Sequence, residues 1–340
     1  MIIGNYKISQ KNKPFIIAEM SGNHNQSLER ALKIVEAAAD SGVHMLKLQT
    51  YTADTITINS QNRDFFIDDK KSLWKGKNLY ELYKQAYTPW DWQEKIIKRS
   101  NELGMLCFST PFDETAVDFL EKVNVPAYKI SSFENVHLPL IKKVAQTGKP
   151  VILSTGLATK EEIKEAVQTL KIGRCKQYAL LKCTSAYPAP PLNSNILTIP
   201  DLRKNFNCEV GLSDHTIGIG ASLAAISHGA TIIEKHFTLD RNDGGVDSSL
   251  TLYCLCKSIM LYNLQEEITV YAFNANITDY EYLETRFDLK TRTLAALLFL
   301  VQRGLAAGIT IYAPAIILST LLKFHQLQPI LFLSKKLLML

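Results

Sequence analysis

Cysteine is scarce and scattered: six in 340 residues, at Cys107, Cys175, Cys183, Cys208, Cys254 and Cys256, with only the last two close neighbours. That excludes the dense disulfide framework of a small secreted domain and points to a reducing compartment. The stretch Met1–Lys13 has no apolar core of signal-peptide length, so nothing there directs export and the expected location is the cytoplasm. A Gly-x-Gly-x-x-Gly fingerprint is missing after the first apolar run, which removes the main argument for a dinucleotide-binding sheet. Charge of one sign is nowhere concentrated. The formal excess is +5 and spread along the chain, which suits a small anionic substrate and not a nucleic-acid backbone. One stretch, Gly304–Leu322, carries no charge, but it only just reaches the length of a membrane span and Pro314 interrupts it, so no span is expected.

What is present is ordinary for a globular protein: 46% hydrophobic and 21% charged residues exclude disorder and allow one large domain plus a small one. From Phe15 onward, short β-branched or apolar runs alternate with segments of helical period, the rhythm of βα units on a parallel sheet. The runs are Phe15–Met20, Met45–Thr50, Met105–Thr110, Ala127–Ser132, Pro150–Thr155, Tyr178–Ser185, Cys208–His215 and Ala230–Thr238, with helices expected at Ser27–Asp40 and Lys160–Leu170 among others. Eight such units favour a closed (β/α)₈ TIM barrel over an open doubly wound sheet. The long stretch from Tyr51 to Trp92 breaks the rhythm; it reads either as a functional cover for the substrate or as a surface excursion whose aromatics pack on the rim.

In such a barrel the C-terminal strand ends form the active-site face, and here almost every one is polar. Glu19 and Asn23-His24 follow the first run, Lys47 and Gln49 lie on the second, and Thr110 ends the third. The fourth carries Lys129, Ser131, Ser132 and then Glu134, and the fifth Ser154. The last three end in Thr184, Ser185 and Tyr187, in Ser213-Asp214-His215, and in Glu234-Lys235-His236, followed by Asp247 in a Gly-rich loop. So many convergent ionisable groups would be costly without partners, which argues for a ligand.

Strand alternation lets Lys47 and Gln49 face the barrel mouth together, and likewise Lys129 and Ser131. Two lysines among hydroxyls fit phosphate; a Schiff-base lysine or a snorkelling surface lysine is the alternative for either alone. His215 and His236 end adjacent runs and could converge on one divalent ion acting as a Lewis acid, with substrate and water completing its shell. Each histidine alone would read as a hydrogen-bonded core residue, and neither the helical His-Glu-x-x-His pattern nor zinc-finger spacing is present. The segment Asp240–Asp247 is not a calcium loop, because its glycine is at the wrong offset and the twelfth-position glutamate is missing. Asp247 itself is a candidate sugar ligand or a plain turn residue.

Several runs resemble the sialic acid synthase family: Ala18-Glu-Met-Ser-Gly-Asn-His, Leu46-Lys-Leu-Gln-Thr-Tyr, Tyr128-Lys-Ile-Ser-Ser-Phe-Glu-Asn, Lys182-Cys-Thr-Ser-Ala-Tyr-Pro, Gly211-Leu-Ser-Asp-His-Thr and Ile233-Glu-Lys-His-Phe-Thr-Leu. Ser72-Leu-Trp-Lys-Gly-Lys and Tyr87-Thr-Pro-Trp tilt the resemblance from the neuraminic to the pseudaminic branch, and it extends over roughly Met1–Ser249. The resemblance implies a condensation in which the enol carbon of phosphoenolpyruvate attacks an open-chain sugar aldehyde, water adds at the neighbouring carbon, and phosphate leaves by carbon–oxygen cleavage. The sugar implied is a 2,4-diacetamido-2,4,6-trideoxy-altrose. By the same resemblance Lys47, Thr110, Lys129, Ser132, Ser154, Ser185 and Ser213 hold phosphoenolpyruvate. Gln49, Glu134, Tyr187 and Asp247 hold the sugar; His215 and His236 hold a divalent metal (Mn²⁺, Mg²⁺ or Co²⁺); Glu19 acts on the metal-side water. Ser185 stands where the sialic acid synthases carry asparagine. A homodimer is implied as well.

The family continues into a small antifreeze-like domain whose Arg-Pro segment reaches the partner's active site. Here residues 1–270 are expected to form the barrel and 271–340 a divergent region in that domain's place, because the Arg-Pro segment is not found and Ile311–Leu340 is mostly apolar without arginine. Three readings follow: an active synthase, which includes neuraminate- or legionaminate-forming variants; a barrel that binds phosphoenolpyruvate and metal without turnover; and a metal-dependent aldolase of a phosphorylated keto-acid.

Overall fold

The computed structural model describes residues 1–68 and 74–240, together with the backbone of Leu252–Tyr253. A two-strand antiparallel hairpin, β1 (Ile2–Ile3) and β2 (Tyr6–Lys7), comes first. It presents Ile3 and the following Ile8 to the core, where both are buried. Eight parallel strands follow: β3 (Phe15–Glu19), β4 (Met45–Thr50), β5 (Leu106–Pro111), β6 (Tyr128–Ile130), β7 (Val151–Ser154), β8 (Tyr178–Cys183), β9 (Glu209–Asp214) and β10 (Ile232–Thr238). Each pairs with the next, and β10 pairs with both β9 and β3, so the sheet closes on itself. The expected (β/α)₈ barrel is therefore the architecture. The backbone of β11 (Leu252–Tyr253) runs parallel beside the end of β10.

Among the described residues a helix follows each of the first seven barrel strands: α1 (Leu28–Asp40) after β3, then α2 (Ala53–Ile56), α3 (Leu79–Ala86) and α4 (Trp90–Glu102) in the long β4–β5 connection, α5 (Glu114–Lys122), α6 (Leu138–Gln146), α7 (Lys160–Ile172), α8 (Thr198–Phe206) and α9 (Gly220–Ser227). The sequence explains their limits. Ser27 caps α1 by accepting from the Arg30 N–H, and Thr159 and Glu162 form a reciprocal capping box at α7. Buried positions recur three and four apart, Ala31, Ile34, Val35 and Ala38 on α1 and Ile163, Ala166, Val167 and Leu170 on α7, so one stripe of each helix lies on the sheet.

The strands fall where the apolar runs predict, but β6 stops at Ile130 and β8 at Cys183, two residues before the ends read from sequence. In both cases the polar residues beyond have left the ladder and entered the loops at the mouth. Between β9 and β10 the approach is so close that a Cβ on Gly211 would lie 2.2 Å from the Ile232 carbonyl oxygen, which requires glycine there.

Candidate active site

Five charged or hydroxyl side chains meet inside the barrel. Lys47 Nζ lies 2.5 Å from Glu19 Oε2 and 2.9 Å from Glu234 Oε1, and Lys129 Nζ lies 3.3 Å from the same Glu234 oxygen. Ser213 Oγ donates to Glu234 Oε1 at 2.9 Å. Lys129 on β6 and Glu234 on β10 are not ladder neighbours, so they meet across the interior. All five are buried. Burial draws the Lys47 ammonium down to about 8 against the opposing pull of Glu234. Burial also works to raise the Glu234 carboxyl, but Lys129 and Lys47 reverse it and hold the group well below the ordinary carboxylate range. An ammonium has three donors, and these contacts leave at least one on Lys47 and two on Lys129.

Beside this network the ends of β5 to β8 supply hydroxyls. Among the described residues the Oγ atoms of Thr110, Ser131, Ser154 and Ser185 are buried without a hydrogen-bond partner. Such groups are costly to leave unmade, so they are poised for an acceptor that enters the mouth. Gly156 has φ +36°, and a Cβ there would sit 2.3 Å from Ser132 Cβ and 2.8 Å from Ser185 Oγ. Only glycine lets those two serines close in around the loop after β7. Asn135 holds the same loop by donating to the Ser154 and Thr155 carbonyls at 3.3 and 3.4 Å.

His215 and His236 lie across the mouth with ring centroids 5.3 Å apart. His215 Nδ1 is 2.9 Å from the Thr184 carbonyl oxygen, which can only accept, so Nδ1 carries a proton and Nε2 faces away from that bond. Burial works to lower this ring, but the Cys183 thiol and the Thr184 carbonyl beside it reverse that and raise it. His236 stands level with Glu19 in the β10–β3 register, and burial followed by the charges of His215 and Lys47 keeps it neutral. Among the described residues no group of three His, Cys, Asp or Glu side chains forms a metal cage. Two imidazoles, which ligate once unprotonated, with the remaining positions left to substrate and water fit an open Lewis-acid site and not a structural one. Tyr187 stacks on His215 at 4.2 Å and meets His236 edge-on at 5.9 Å, so the expected sugar residue and the two histidines form one cluster.

Gln49 is half-buried two residues above Lys47, and Glu134 stands in the loop after β6 with its Oε2 buried and lacking a partner among the described residues. Burial raises the Glu134 carboxyl to about 7, with Lys129 pulling the other way. Burial, and then the Glu134 charge, raises the Tyr83 hydroxyl of α3, so the long β4–β5 connection does reach the mouth. Asp247, Cys254, Cys256, the apolar stretch Gly304–Leu322 and region 271–340 lie outside the described residues.

Two sequence expectations are corrected. Asp214 does not stand beside the histidines: alternation sends it to the outer face of β9, where it pairs with Lys235 at 3.0 Å and accepts from Thr216 N, Thr216 Oγ1 and Ser222 Oγ. His24, a polar strand end by sequence, is a tie between loops. Its Nδ1 accepts from the Gln26 N–H and its Nε2 donates to Thr88 Oγ1, while burial lowers the ring to about 4. Sequence reasoning also left unassigned the centre of the network, Glu234, whose alternation with His236 on the same strand was the available signal. Lys182, on the outer face of β8, donates to Thr184 Oγ1 and to the Asn193 carbonyl, fixing the segment whose Thr184 carbonyl orients His215.

Known proteins resemble this chain in sequence and in fold. The chain is 44% identical to the pseudaminic acid synthase of Campylobacter jejuni over 252 residues, covering 74% of this chain and 72% of that one. It is 42% identical to the pseudaminic acid synthase of Helicobacter pylori over 239 residues, 70% of each. The crystal structure of the N-acetylneuraminic acid synthetase of Leptospira borgpetersenii, in complex with citrate, superposes with a TM-score of 0.71 at 29% identity, covering 85% of this chain and 97% of that one. Fold and site define a barrel enzyme of the sialic acid synthase class. More particularly, the NeuB family profile matches residues 34–263, and the chain belongs to the NeuB family.

Proposed function

We propose that this chain condenses phosphoenolpyruvate with 2,4-diacetamido-2,4,6-trideoxy-L-altrose and water, giving pseudaminic acid and phosphate. The observation that carries the reading is the paired lysine–carboxylate network beside hydroxyls that lack partners among the described residues and a close pair of histidines, in a chain 44% identical to a pseudaminic acid synthase over most of its length. Lys47, Lys129 and the hydroxyls of Thr110, Ser132, Ser154, Ser185 and Ser213 take the phosphate and carboxylate of phosphoenolpyruvate. Their preorganised donors also stabilise the charge on the departing phosphate. Each lysine already faces a carboxylate within the network, which supports anion binding over Schiff-base chemistry.

Gln49, Glu134, Tyr187 and Asp247 orient the sugar so that its aldehyde carbon meets the enol carbon, converting a bimolecular encounter into a held geometry. Glu19, through the oxygen facing Lys47, accepts a proton from the water that adds at the neighbouring carbon. His215 and His236 would hold a divalent ion such as Mn²⁺, Mg²⁺ or Co²⁺, which when bound polarises the aldehyde. The reading includes a cytoplasmic homodimer; the one structural observation bearing on location is that no described helix is long and apolar enough to cross a membrane.

The test is incubation with phosphoenolpyruvate, Mn²⁺ and a panel of sugars, following phosphate release and product mass. Release with the altrose derivative and its loss on chelation are expected. Phosphoenolpyruvate binding without release for any sugar, or release only with N-acetylmannosamine, overturns the reading.

A further inference from the structure

The two runs that mark the pseudaminic branch have different fates in the fold. Tyr87-Thr-Pro-Trp is an anchor: Thr88 binds His24 and the Trp90 indole N–H donates to the Tyr51 carbonyl at 3.2 Å, returning the long connection to the barrel. Trp74-Lys-Gly-Lys makes a tight turn in which Lys77 N donates to the Trp74 carbonyl at 3.0 Å. Gly76, at the third position, has φ +78° with open space around it, so glycine is required by backbone conformation alone. The turn is pinned to its neighbour strand-wise, by Gly76 N to Ile67 O at 2.8 Å and Ile67 N to Lys77 O at 3.1 Å. The turn so pinned sets the Trp74 ring centroid 6.4 Å from that of Tyr187. Tyr187 in turn covers His215, so a line of aromatic rings leads from the histidine pair toward Trp74, and both Trp74 and Tyr187 are only half-buried.

We propose that Trp74 is a specificity-determining residue that, with Tyr187, walls the end of the sugar subsite remote from His215 and His236 and favours a terminal methyl over a terminal hydroxyl. The inference rests on the proposed reaction and deepens it. An open-chain sugar held by its aldehyde at the histidines extends its last carbon along the ring line. An indole face gains by covering a methyl, whereas a hydroxyl held against it loses water and the indole itself offers no acceptor in return. Discrimination by one small group in an apolar site is worth about 10-fold or somewhat more.

The experiment compares the full chain with Trp74→Ala and Trp74→Phe, using 2,4-diacetamido-2,4,6-trideoxy-altrose and its 6-hydroxy counterpart. In Trp74→Ala the KM of the 6-deoxy sugar should rise about 10-fold with little change in the KM of phosphoenolpyruvate, so that preference over the 6-hydroxy sugar falls by a similar factor. Trp74→Phe should restore most of it. Equal losses for both sugars, or an equal rise in the KM of phosphoenolpyruvate, overturn the inference while leaving the proposed reaction standing. If the unaltered chain turns over neither sugar, the proposed reaction fails, and tryptophan fluorescence still decides the wall: quenching by the 6-deoxy sugar that disappears in Trp74→Phe supports it, and absence of quenching in the unaltered chain overturns it.

Discussion

Strands β9 and β10 each carry buried polar side chains on both faces, one residue apart, and the two sets have opposite characters. On the inner face, Glu234 and Ser213 join Lys47, Lys129 and Glu19 in a network bordered by hydroxyls that lack partners among the described residues. On the outer face, Asp214 and Lys235 are as deeply buried, but Asp214 accepts from Thr216 and Ser222 as well as facing Lys235, whose ammonium also donates to the Thr216 carbonyl at 2.7 Å. Both faces bear the desolvation cost of buried ions. The outer cluster is saturated by its own fold and therefore serves the fold; the inner one is left incomplete where a ligand can finish it.

The largest effect expected from breaking that contrast is on stability. Asp214→Ala strands Lys235 in the interior and should cost roughly 3–5 kcal/mol in denaturant unfolding, while the KM for phosphoenolpyruvate of the folded protein stays within about two-fold. A stability loss below about 1 kcal/mol would mean that the outer cluster is not what holds β9 to β10. Lys129→Met tests the inner face from the other side. It leaves Glu234 with Lys47 and should lower kcat/KM for phosphoenolpyruvate by roughly 10²–10³-fold, measured by phosphate release, with a smaller stability change than Asp214→Ala. Comparable kinetic losses in the two variants would erase the distinction between faces.

The smallest expected effect concerns Glu134, at the edge of the inner set. Its carboxyl is raised from 4.5 to about 7, chiefly by burial, so the native state holds this proton over a range where the unfolded chain has released it. The stabilisation is complete below about pH 4.5 and is lost as pH rises through about 7. Glu134→Gln should remove that slope, so the unaltered protein should lose more stability than the variant between pH 5 and pH 7.5 in parallel denaturant titrations, as roughly expected from linkage. Parallel pH profiles for the two proteins would place Glu134 in solvent-like surroundings.

Much of the site was legible because strand alternation is a local rule. The pairs Lys47 with Gln49 and Ser213 with His215 share a face simply by being two residues apart, and the apolar runs located the strands to within about two residues. Applied strand by strand, the same rule separates neighbours within one polar strand end: Asp214 lies between Ser213 and His215 and faces the other way. Other features carry no local signature. Gly156 reads as an ordinary loop glycine until the ends of β6 and β8 are seen closing on it.

The order of elements, the helix caps at Ser27 and Thr159, the polar strand ends and the membership of the NeuB family were all determined along the chain, because each depends on residues a few positions apart. Closure decided the rest. Only the pairing of β10 with β3 sets Glu19 level with His236, and only the ring of strands brings Lys129 across to Glu234. Those contacts join residues far apart in sequence through a buried interior, where the charge state of each group depends on which partner the tertiary structure places within reach.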